Sequence, residues 1–192
     1  TALALFFPAL PHPVLRLFFW VPEAKIKQKA DRVDYRLWVQ QGFITVTEGD
    51  VVDTDYLSKD IERIFHLYRV KNLTYDPWMA TNGVIQHLEK VGYYNILDPI
   101  AQTITYLSEP TKDLQKRLQR RELDLMNNPV LRWMFRNVAI YTDPNLNIRL
   151  NKAKSTEKID GCAASVNAIA GYISKTANTR EAYAGGREIK VI

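Results

Sequence analysis

Cysteine, histidine and long apolar runs are scarce in this chain of 192 residues, and each scarcity excludes a class of protein. The single cysteine, Cys162, cannot form an internal disulfide, which is typical of proteins from a reducing, intracellular compartment. No cysteine or histidine pair has the spacing of a zinc site. The apolar stretch 15–21 contains Arg16 and is too short to span a membrane, and no basic segment with a cleavage site indicates a secretory signal.

The chain is instead rich in residues that build a core. Its hydrophobic fraction is 46% and its charged fraction 24%, with ten tyrosines, seven phenylalanines and four tryptophans. A chain of this length and composition is expected to form one soluble globular domain with a sizeable core. The net charge of +5 and the isoelectric point near 9.2 favour a polyanionic partner such as nucleic acid.

Apolar residues recur at intervals of two in some segments and of three or four in others, so strands and helices are predicted to alternate. Two aromatic runs, 1–7 and 14–21, are joined by a proline-containing loop and are predicted to pair as a β-hairpin. Further strands are predicted at 43–47, 70–75, 94–97, 138–141 and 147–150, and helices within 22–41 and at 56–68, 80–91, 108–121, 129–136 and 159–173. Asp53 or Thr54 is placed to cap the helix at 56–68, and Asn128 is placed to open the helix at 129–136. This order favours an α/β fold in which helices flank a mixed sheet, with one domain over 1–176. The composition of 177–192 predicts a flexible tail.

Two aspartates stand at the ends of apolar segments. Asp76 follows the run 73–75 and directly precedes Pro77, and Asp160 opens an Ala-rich run. Carboxylates at the ends of buried elements, once the fold brings them together, can hold divalent metal beside a phosphodiester. In its local setting either aspartate is also suited to cap a helix, and the two roles are compatible because a cap leaves one carboxylate oxygen free.

Three lysines flank the second aspartate. Lys152, Lys154 and Lys158 could grip a phosphate backbone, or they could belong to a solvated loop; their closeness to Asp160 favours DNA. Glu157 lies three residues before Asp160 and is a further candidate ligand, although an exposed loop position would leave it solvated.

The large side chains within the motifs are predicted to lie in the core. Trp78, Trp133 and Met134 are more typical of a packed interior than of a base-stacking surface. Cys162 is predicted to be a small buried residue without a nucleophilic role. The histidines lack partners at metal-ligand spacing, so none is predicted to be catalytic.

Five short motifs follow one another along the chain. They are Gln41-Gly42-Phe43-Ile44-Thr45, Glu48-Gly49-Asp50-Val51-Val52-Asp53, Tyr75-Asp76-Pro77-Trp78, Asn128-Pro129-Val130-Leu131-Arg132-Trp133-Met134 and Lys158-Ile159-Asp160-Gly161. Together, over about residues 1–174, they resemble the C-terminal nuclease domain of the large terminase subunit of tailed bacteriophages. Each motif alone carries little weight, but five in register are fairly specific.

The resemblance implies a ribonuclease H-like (integrase-type) fold and an endonuclease that hydrolyses phosphodiester bonds of concatemeric double-stranded DNA. It implies that Asp76 and Asp160 bind metal and act in catalysis, with Mg²⁺ or Mn²⁺ as cofactor and two ions in an intact site. Metal ions in such a site activate water and shield the phosphate charge. The implied partners are double-stranded DNA, the small terminase subunit and the portal, in the cytoplasm of the bacterial host.

The sequence departs from the family pattern at its start. The family's first metal-binding acid lies on an opening strand that would precede Thr1, and no GxxxxGK[ST] loop of the family's separate ATPase domain is present. We therefore expect the first strand to be missing, metal binding to be weak, and cleavage by this polypeptide to be poor or absent. One alternative is a non-catalytic remnant of a prophage terminase that binds DNA or a partner. Another is a different integrase-fold enzyme, such as a resolvase or transposase, which the block 128–134 disfavours.

Overall fold

The computed structural model describes residues 1–28, 33, 35–80 and 83–184, apart from the side chains of 79, 80 and 178–184. Its first element is an antiparallel hairpin of β1 (Ala2–Phe7) and β2 (Val14–Pro22), in which Ala2 lies opposite Phe19. Buried residues alternate with less buried ones along most of both strands, because successive side chains point to opposite faces of a sheet. The predicted hairpin is confirmed.

A third strand extends this sheet. β3 (Thr45–Thr47) pairs in parallel with the end of β2, and two short helices, α1 (Glu23–Gln28) and α2 (Tyr35–Gln40), lie between them. Both helices fall within the segment predicted to hold helical fragments. The strand order is β1-β2-β3, so within the described part of the chain β1 has a partner strand on one edge only.

A second, smaller sheet pairs β4 with β5 in parallel. The elements of this region are α3 (Thr54–Leu67), β4 (Leu73–Tyr75), α4 (Pro77–Ala80), α5 (Val84–Lys90) and β5 (Leu97–Pro99). The Asp53 side chain caps α3 as predicted, by accepting a hydrogen bond from the Tyr56 N–H. The helix predicted at 80–91 is observed as α5, while residues 81 and 82 lie outside the described residues.

The strand predicted at 94–97 is wrong in position. Residues Tyr94–Ile96 form a 3-10 turn, and pairing begins only at Leu97, which lies opposite Leu73. After α5 the chain passes through Gly92, whose φ of 99° is the left-handed conformation expected just beyond a helix end. The following residues turn the chain towards β4, so the strand forms three residues later than its apolar pattern predicts.

Helix α6 (Ile104–Gln119) begins earlier than predicted, and Pro110 lies inside it. The Thr103 side chain caps the helix by accepting a hydrogen bond from the Tyr106 N–H. Ser108, which was predicted to open this helix, instead accepts a hydrogen bond from the Ile148 N–H at 3.1 Å. Pro110 lies beyond the first turn of α6, where it cannot donate a helical hydrogen bond. Its ring is buried.

The C-terminal third contains α7 (Pro129–Asn137), a hairpin of β6 (Ile140–Thr142) and β7 (Ile148–Leu150), and α8 (Asp160–Ala184). Asn128 caps α7 as predicted. Helix α8 runs past its predicted end and through 177–184, the first part of the predicted tail, because no glycine or proline interrupts the chain there. The rest of that tail, 185–192, lies outside the described residues.

Two hydrophobic clusters lie on opposite faces of the hairpin. Leu15 and Leu17 of β2 pack with Val166 and Ile169 of α8 on one face. Leu3, Leu5 and Trp20 pack on the other face with residues of α3, namely Leu57, Ile61 and Ile64. Helices therefore cover both faces of the sheet, as an α/β fold requires. None of the described helices is long and apolar enough to cross a bilayer.

Candidate functional site

Helix α8 begins at Asp160 and lies unusually close to β2. A Cβ atom at the next residue, Gly161, would lie 2.8 and 2.9 Å from two ring carbons of Phe19 and 3.0 Å from a methyl group of Leu17, so this approach requires glycine. The Gly161 N–H donates to Sδ of Met134 at 3.1 Å. The motifs 128–134 and 158–161 therefore meet at the start of α8, where they hold the backbone beside Asp160.

The Asp160 carboxylate is partly exposed beside the backbone nitrogen of Thr1. About 40% of its side chain is exposed, and its Oδ2 lies 3.8 Å from the α-amino nitrogen of Thr1. Burial lowers the pKa of this amino group, Asp160 raises it, and Lys158 and Lys152 lower it further. Lys158 and Lys152 are thus close enough to the Thr1 nitrogen to affect its pKa, and Asp160 faces the same nitrogen.

A cavity of about 240 Å³ opens beside Asp160. Its lining residues are Lys152, Ser155, Glu157, Lys158, Ile159 and Asp160. Two of the three candidate DNA-binding lysines, Lys152 and Lys158, therefore face a shared space, whereas Lys154 is exposed elsewhere on the loop. Glu157 is half-buried and shares the cavity with Asp160, so it is less solvated than its loop position predicts.

Hydrogen bonds hold the loop 151–159 against the end of α7. The Ser155 hydroxyl accepts from the Ala139 N–H at 3.0 Å. The Thr156 N–H donates to the Asn137 carbonyl at 3.2 Å, and the Thr156 hydroxyl donates to Asn137 Oδ1 at 3.0 Å. These bonds make the loop a positioned wall of the cavity, because its backbone is tied to a helix at several points.

Tyr35 is a neighbour of this site that sequence reasoning missed. Its buried ring packs against Trp38 and Trp133, and burial raises the pKa of its phenol, with Glu157 and Asp160 raising it further. The phenol is therefore held neutral within the field of the two acids. No local pattern around Tyr35 indicates this, because the acids lie far away in sequence.

The predicted places of the other motif side chains are mostly confirmed. Met134 is buried, Trp133 packs against the same cluster, and Cys162 is fully buried with the pKa of its thiol raised by burial to about 12. Such a thiol is a poor nucleophile because the thiolate is scarce near neutral pH.

Asp76 lies at the end of β4 and is half-buried. Its Oδ1 accepts a hydrogen bond from the Trp78 N–H at 3.0 Å, which is the capping turn that the local pattern indicates. The prediction that Trp78 lies in the core is wrong, since 89% of this side chain is exposed. Pro77 begins α4 directly after the strand, so the chain leaves the sheet before it reaches the indole.

The direction of β4 determines where Asp76 lies relative to α8. The Thr74 hydroxyl donates to the Asn167 carbonyl at 2.6 Å, and the side chains of Asn72 and Thr74 close on Gly171. The strand therefore advances towards the N-terminal end of α8. Asp76 lies two residues beyond Thr74, about 6–7 Å further along, which is level with the early turns of that helix.

Strand β1 runs along α8 in the opposite sense to β4. Thr1 lies beside Asp160, and the ring of Phe6 contacts that of Tyr172 with their centroids 5.4 Å apart. The start of β1 and the start of α8 therefore share one end of the domain, where Asp160 lies. Strand β4, which Asp76 follows, advances towards this end.

The donor type at this end fits a hard divalent cation. Carboxylate oxygens are the ligands that Mg²⁺ and Mn²⁺ prefer, and Asp76, Asp160 and Glu157 offer them. Across residues 1–28, 33, 35–80 and 83–184, however, no group of three or more His, Cys, Asp or Glu side chains is close enough together to hold a metal ion. The aspartates are therefore suitable ligands that other donors must supplement.

A sequence model of the family described as "Terminase large subunit, endonuclease domain" matches residues 11–175. The chain belongs to this family. It is 26% identical over 163 residues to the terminase large subunit of Enterobacteria phage HK97, covering 82% of this chain and 32% of that protein. It is 28% identical over 161 residues to protein YmfN of Escherichia coli (strain K12), covering 79% of this chain and 34% of that protein. Membership decides against the alternative of a resolvase or transposase.

The structure of this terminase nuclease domain is similar to the crystal structure of the HK97 bacteriophage large terminase. The TM-score is 0.81 at 24% identity, and the match covers 88% of this chain and 36% of that one. This confirms the ribonuclease H-like α/β fold that the motifs predict. The chain spans about a third of the length of the curated relatives that it matches.

Proposed function

We propose that this domain is a metal-dependent endonuclease that hydrolyses phosphodiester bonds of concatemeric double-stranded DNA during phage genome packaging. The observation that carries the proposal is that Asp160 begins α8, while β4, with Asp76 directly after its last residue, packs on the same helix. Both carboxylates are accessible, and a cavity lined partly by lysines opens beside one of them. Membership of the terminase endonuclease family supports the same activity.

In this proposal Asp76 and Asp160 hold Mg²⁺ or Mn²⁺, with two ions in an intact site that a further acidic ligand completes. Bound ions supply an activated water and shield the charge of the phosphate. The protein itself must keep the carboxylates in place. The contact of Gly161 with β2 holds one of them, and the hydrogen bond from Thr74 to α8 holds the strand that carries the other.

The lysines of the 151–159 loop are proposed to bind the DNA backbone. Lys152 and Lys158 face the cavity beside Asp160, and Lys154 adds positive charge on the exposed side of the loop. Contacts to phosphate position a duplex but carry no sequence information, so the expected cleavage is weakly specific.

A third acidic ligand is proposed to reach the site on an extended strand, as the family resemblance implies. Within the described residues one edge of β1 has no partner strand and suits such a strand, and the Thr1 nitrogen at the start of that edge lies 3.8 Å from Asp160. A strand paired there would bring its acid to the end of the domain where Asp160 lies. On this proposal the polypeptide of 192 residues binds metal weakly and cuts DNA poorly.

The proposal is tested by nicking of supercoiled plasmid with Mn²⁺ and with EDTA. The chain itself is compared with a version extended ahead of Thr1 through the expected strand. We expect strong, metal-dependent nicking by the extended version, reduced to the EDTA background by Asp76→Asn or Asp160→Asn. The matched control is Asp55→Asn, an exposed acid in the first turn of α3, which should nick normally.

Binding of Mn²⁺, measured by calorimetry, provides a readout that does not depend on cleavage. Each of the two site variants should weaken it, whereas Asp55→Asn should not. Normal nicking by Asp76→Asn, or equal nicking with and without EDTA, would contradict the proposal. Binding of DNA without nicking by either version would instead support the alternative of a non-catalytic remnant that binds DNA or a partner.

The partners of the larger protein are proposed from the family alone. They are double-stranded DNA as substrate and the small terminase subunit and portal as protein partners, in the cytoplasm of the bacterial host. Co-sedimentation of the full-length protein with each purified partner would test them, and the absence of any complex would remove that partner from the proposal.

A further inference from the structure

Trp78 is the most exposed large hydrophobic side chain among the described residues, at 89%. The other tryptophans, Trp20, Trp38 and Trp133, lie in or against the two hydrophobic clusters. Exposure of a large aromatic surface to water is unfavourable, and burial of that surface by a partner is favourable. The exposed indole therefore requires an explanation other than core packing.

The position of Trp78 is coupled to that of Asp76. Its N–H donates to Asp76 Oδ1 at 3.0 Å, and Pro77 between them has a restricted φ. The indole is thus carried by the same short turn that presents the carboxylate. Because Asp76 is only half-buried and Trp78 is exposed, the turn presents both side chains to solvent.

We propose that Trp78 binds the DNA duplex directly beside the phosphate that is held for cleavage, with its indole against the sugar and base of a neighbouring nucleotide. The inference rests on the proposed nuclease function, because it takes Asp76 as the point where the phosphate is held. Successive base pairs are about 3.4 Å apart along the duplex, so a side chain two residues from the ligand reaches a nucleotide one or two steps away.

The chemistry of the site favours DNA over a protein as the occupant. The chain carries a net charge of +5, and Lys152 and Lys158 line the cavity beside Asp160. A basic domain with an exposed aromatic ring is suited to nucleic acid, since the cations hold the backbone and the ring wedges into the minor groove. A wedge between base steps makes no hydrogen bond to base edges, so the contact would add affinity with little sequence preference.

The first test measures duplex binding by the whole chain, with EDTA present to prevent cleavage. Trp78→Ala should weaken binding by about 5- to 160-fold, the loss expected for one base contact, and Trp78→Phe should lose less because it keeps a ring. The slope of log affinity against log salt concentration should stay unchanged, since no charge is removed. By contrast, Lys158→Ala should lower that slope by about one.

The second test uses tryptophan fluorescence, because Trp78 is the tryptophan that iodide should quench most. Duplex DNA should protect the emission from iodide in the native chain, and Trp78→Phe should remove the quenchable fraction. The matched control is Tyr94→Ala. Tyr94 is 63% exposed just before β5, at the opposite end of the β4–β5 sheet, and its removal should leave binding unchanged.

The two tests separate failure of this inference from failure of the nuclease proposal. Normal duplex binding by Trp78→Ala, together with full iodide quenching of the native chain at saturating DNA, would overturn the role of Trp78. A protein partner would then be the remaining candidate to cover the indole. Metal-dependent nicking abolished by Asp76→Asn would still support the nuclease. No duplex binding by the chain or by its extended version would overturn both.

Discussion

The two candidate acids are held by opposite means. Around Asp160 the helix start is pressed against β2, where Gly161 leaves no space for a Cβ beside Phe19. Asp76 lies between a three-residue strand, β4, and a four-residue helix, α4. Little of this region is packed, and the Trp78 indole in it is 89% exposed. One carboxylate is therefore positioned by core packing and the other by a local turn with one hydrogen bond to α8. Changes near Asp160 should affect folding and function together, whereas changes near Asp76 should affect mainly function.

The largest effect on stability is expected from Gly161→Ala. Helix propensity alone favours alanine by up to about 1 kcal/mol. The added methyl would lie within 2.9 Å of the Phe19 ring, however, and overpacking of this kind lowers the free energy of unfolding by about 1–3 kcal/mol. Urea unfolding measures this change.

The control for Gly161→Ala is the same substitution in a Phe19→Leu background. Leucine leaves space beside α8, so the penalty of the added methyl should shrink in the double variant, which a double-mutant cycle reports. An equal loss of unfolding free energy in both backgrounds would mean that packing against Phe19 does not hold the start of α8 at Asp160.

A smaller effect is expected from Thr74→Val at the Asp76 end. Valine keeps the shape of threonine but removes the hydrogen bond to the Asn167 carbonyl, which contributes about 1 kcal/mol. Hydrogen exchange of the β4 amides should accelerate, and nicking by the extended version should fall more than global stability does. The control Thr176→Val removes a similar hydroxyl–carbonyl bond within α8 and should leave β4 and nicking unchanged. Slow exchange in Thr74→Val would show that β4 is held by other contacts.

The smallest effect is expected in the α3–α5 layer, which packs behind β4. A hydrogen bond from His87 is the main cause that lowers the pKa of Glu62 below its ordinary value of 4.5, and a weaker interaction with His66 also lowers it. A carboxyl whose pKa is lowered by folding stabilises the folded state above its unfolded pKa. This stabilisation is lost as the pH falls through the lower, folded value.

This pH dependence can be measured as the difference in unfolding free energy between the native chain and Glu62→Gln. The difference should shrink as the pH falls below about 4.5, since the ionised carboxylate is then progressively lost. A difference that stays constant into the acid range would mean that the pair of Glu62 and His87 does not support the layer behind β4.

The features that could be predicted from sequence are those with local causes. Asp53 and Asn128 cap their helices as predicted, because a cap depends on a few adjacent residues. The β1–β2 hairpin follows from two apolar runs separated by a proline-containing loop. The errors have tertiary causes: Ser108 binds β7 and does not open α6, and the pairing of β5 is set by β4.

The sequence by itself determined the hairpin, the helix caps, the terminase motifs and the identity of Asp76 and Asp160 as candidate ligands, since each is written in a short stretch of chain. Only the tertiary structure decided that β4 packs on α8, that Glu157 shares a cavity with Asp160, and that Tyr35 is buried near these two acids. It also decided that Trp78 faces solvent. The physical reason is that direction, burial and electrostatic neighbourhood arise from packing between segments far apart in sequence, which no local pattern encodes.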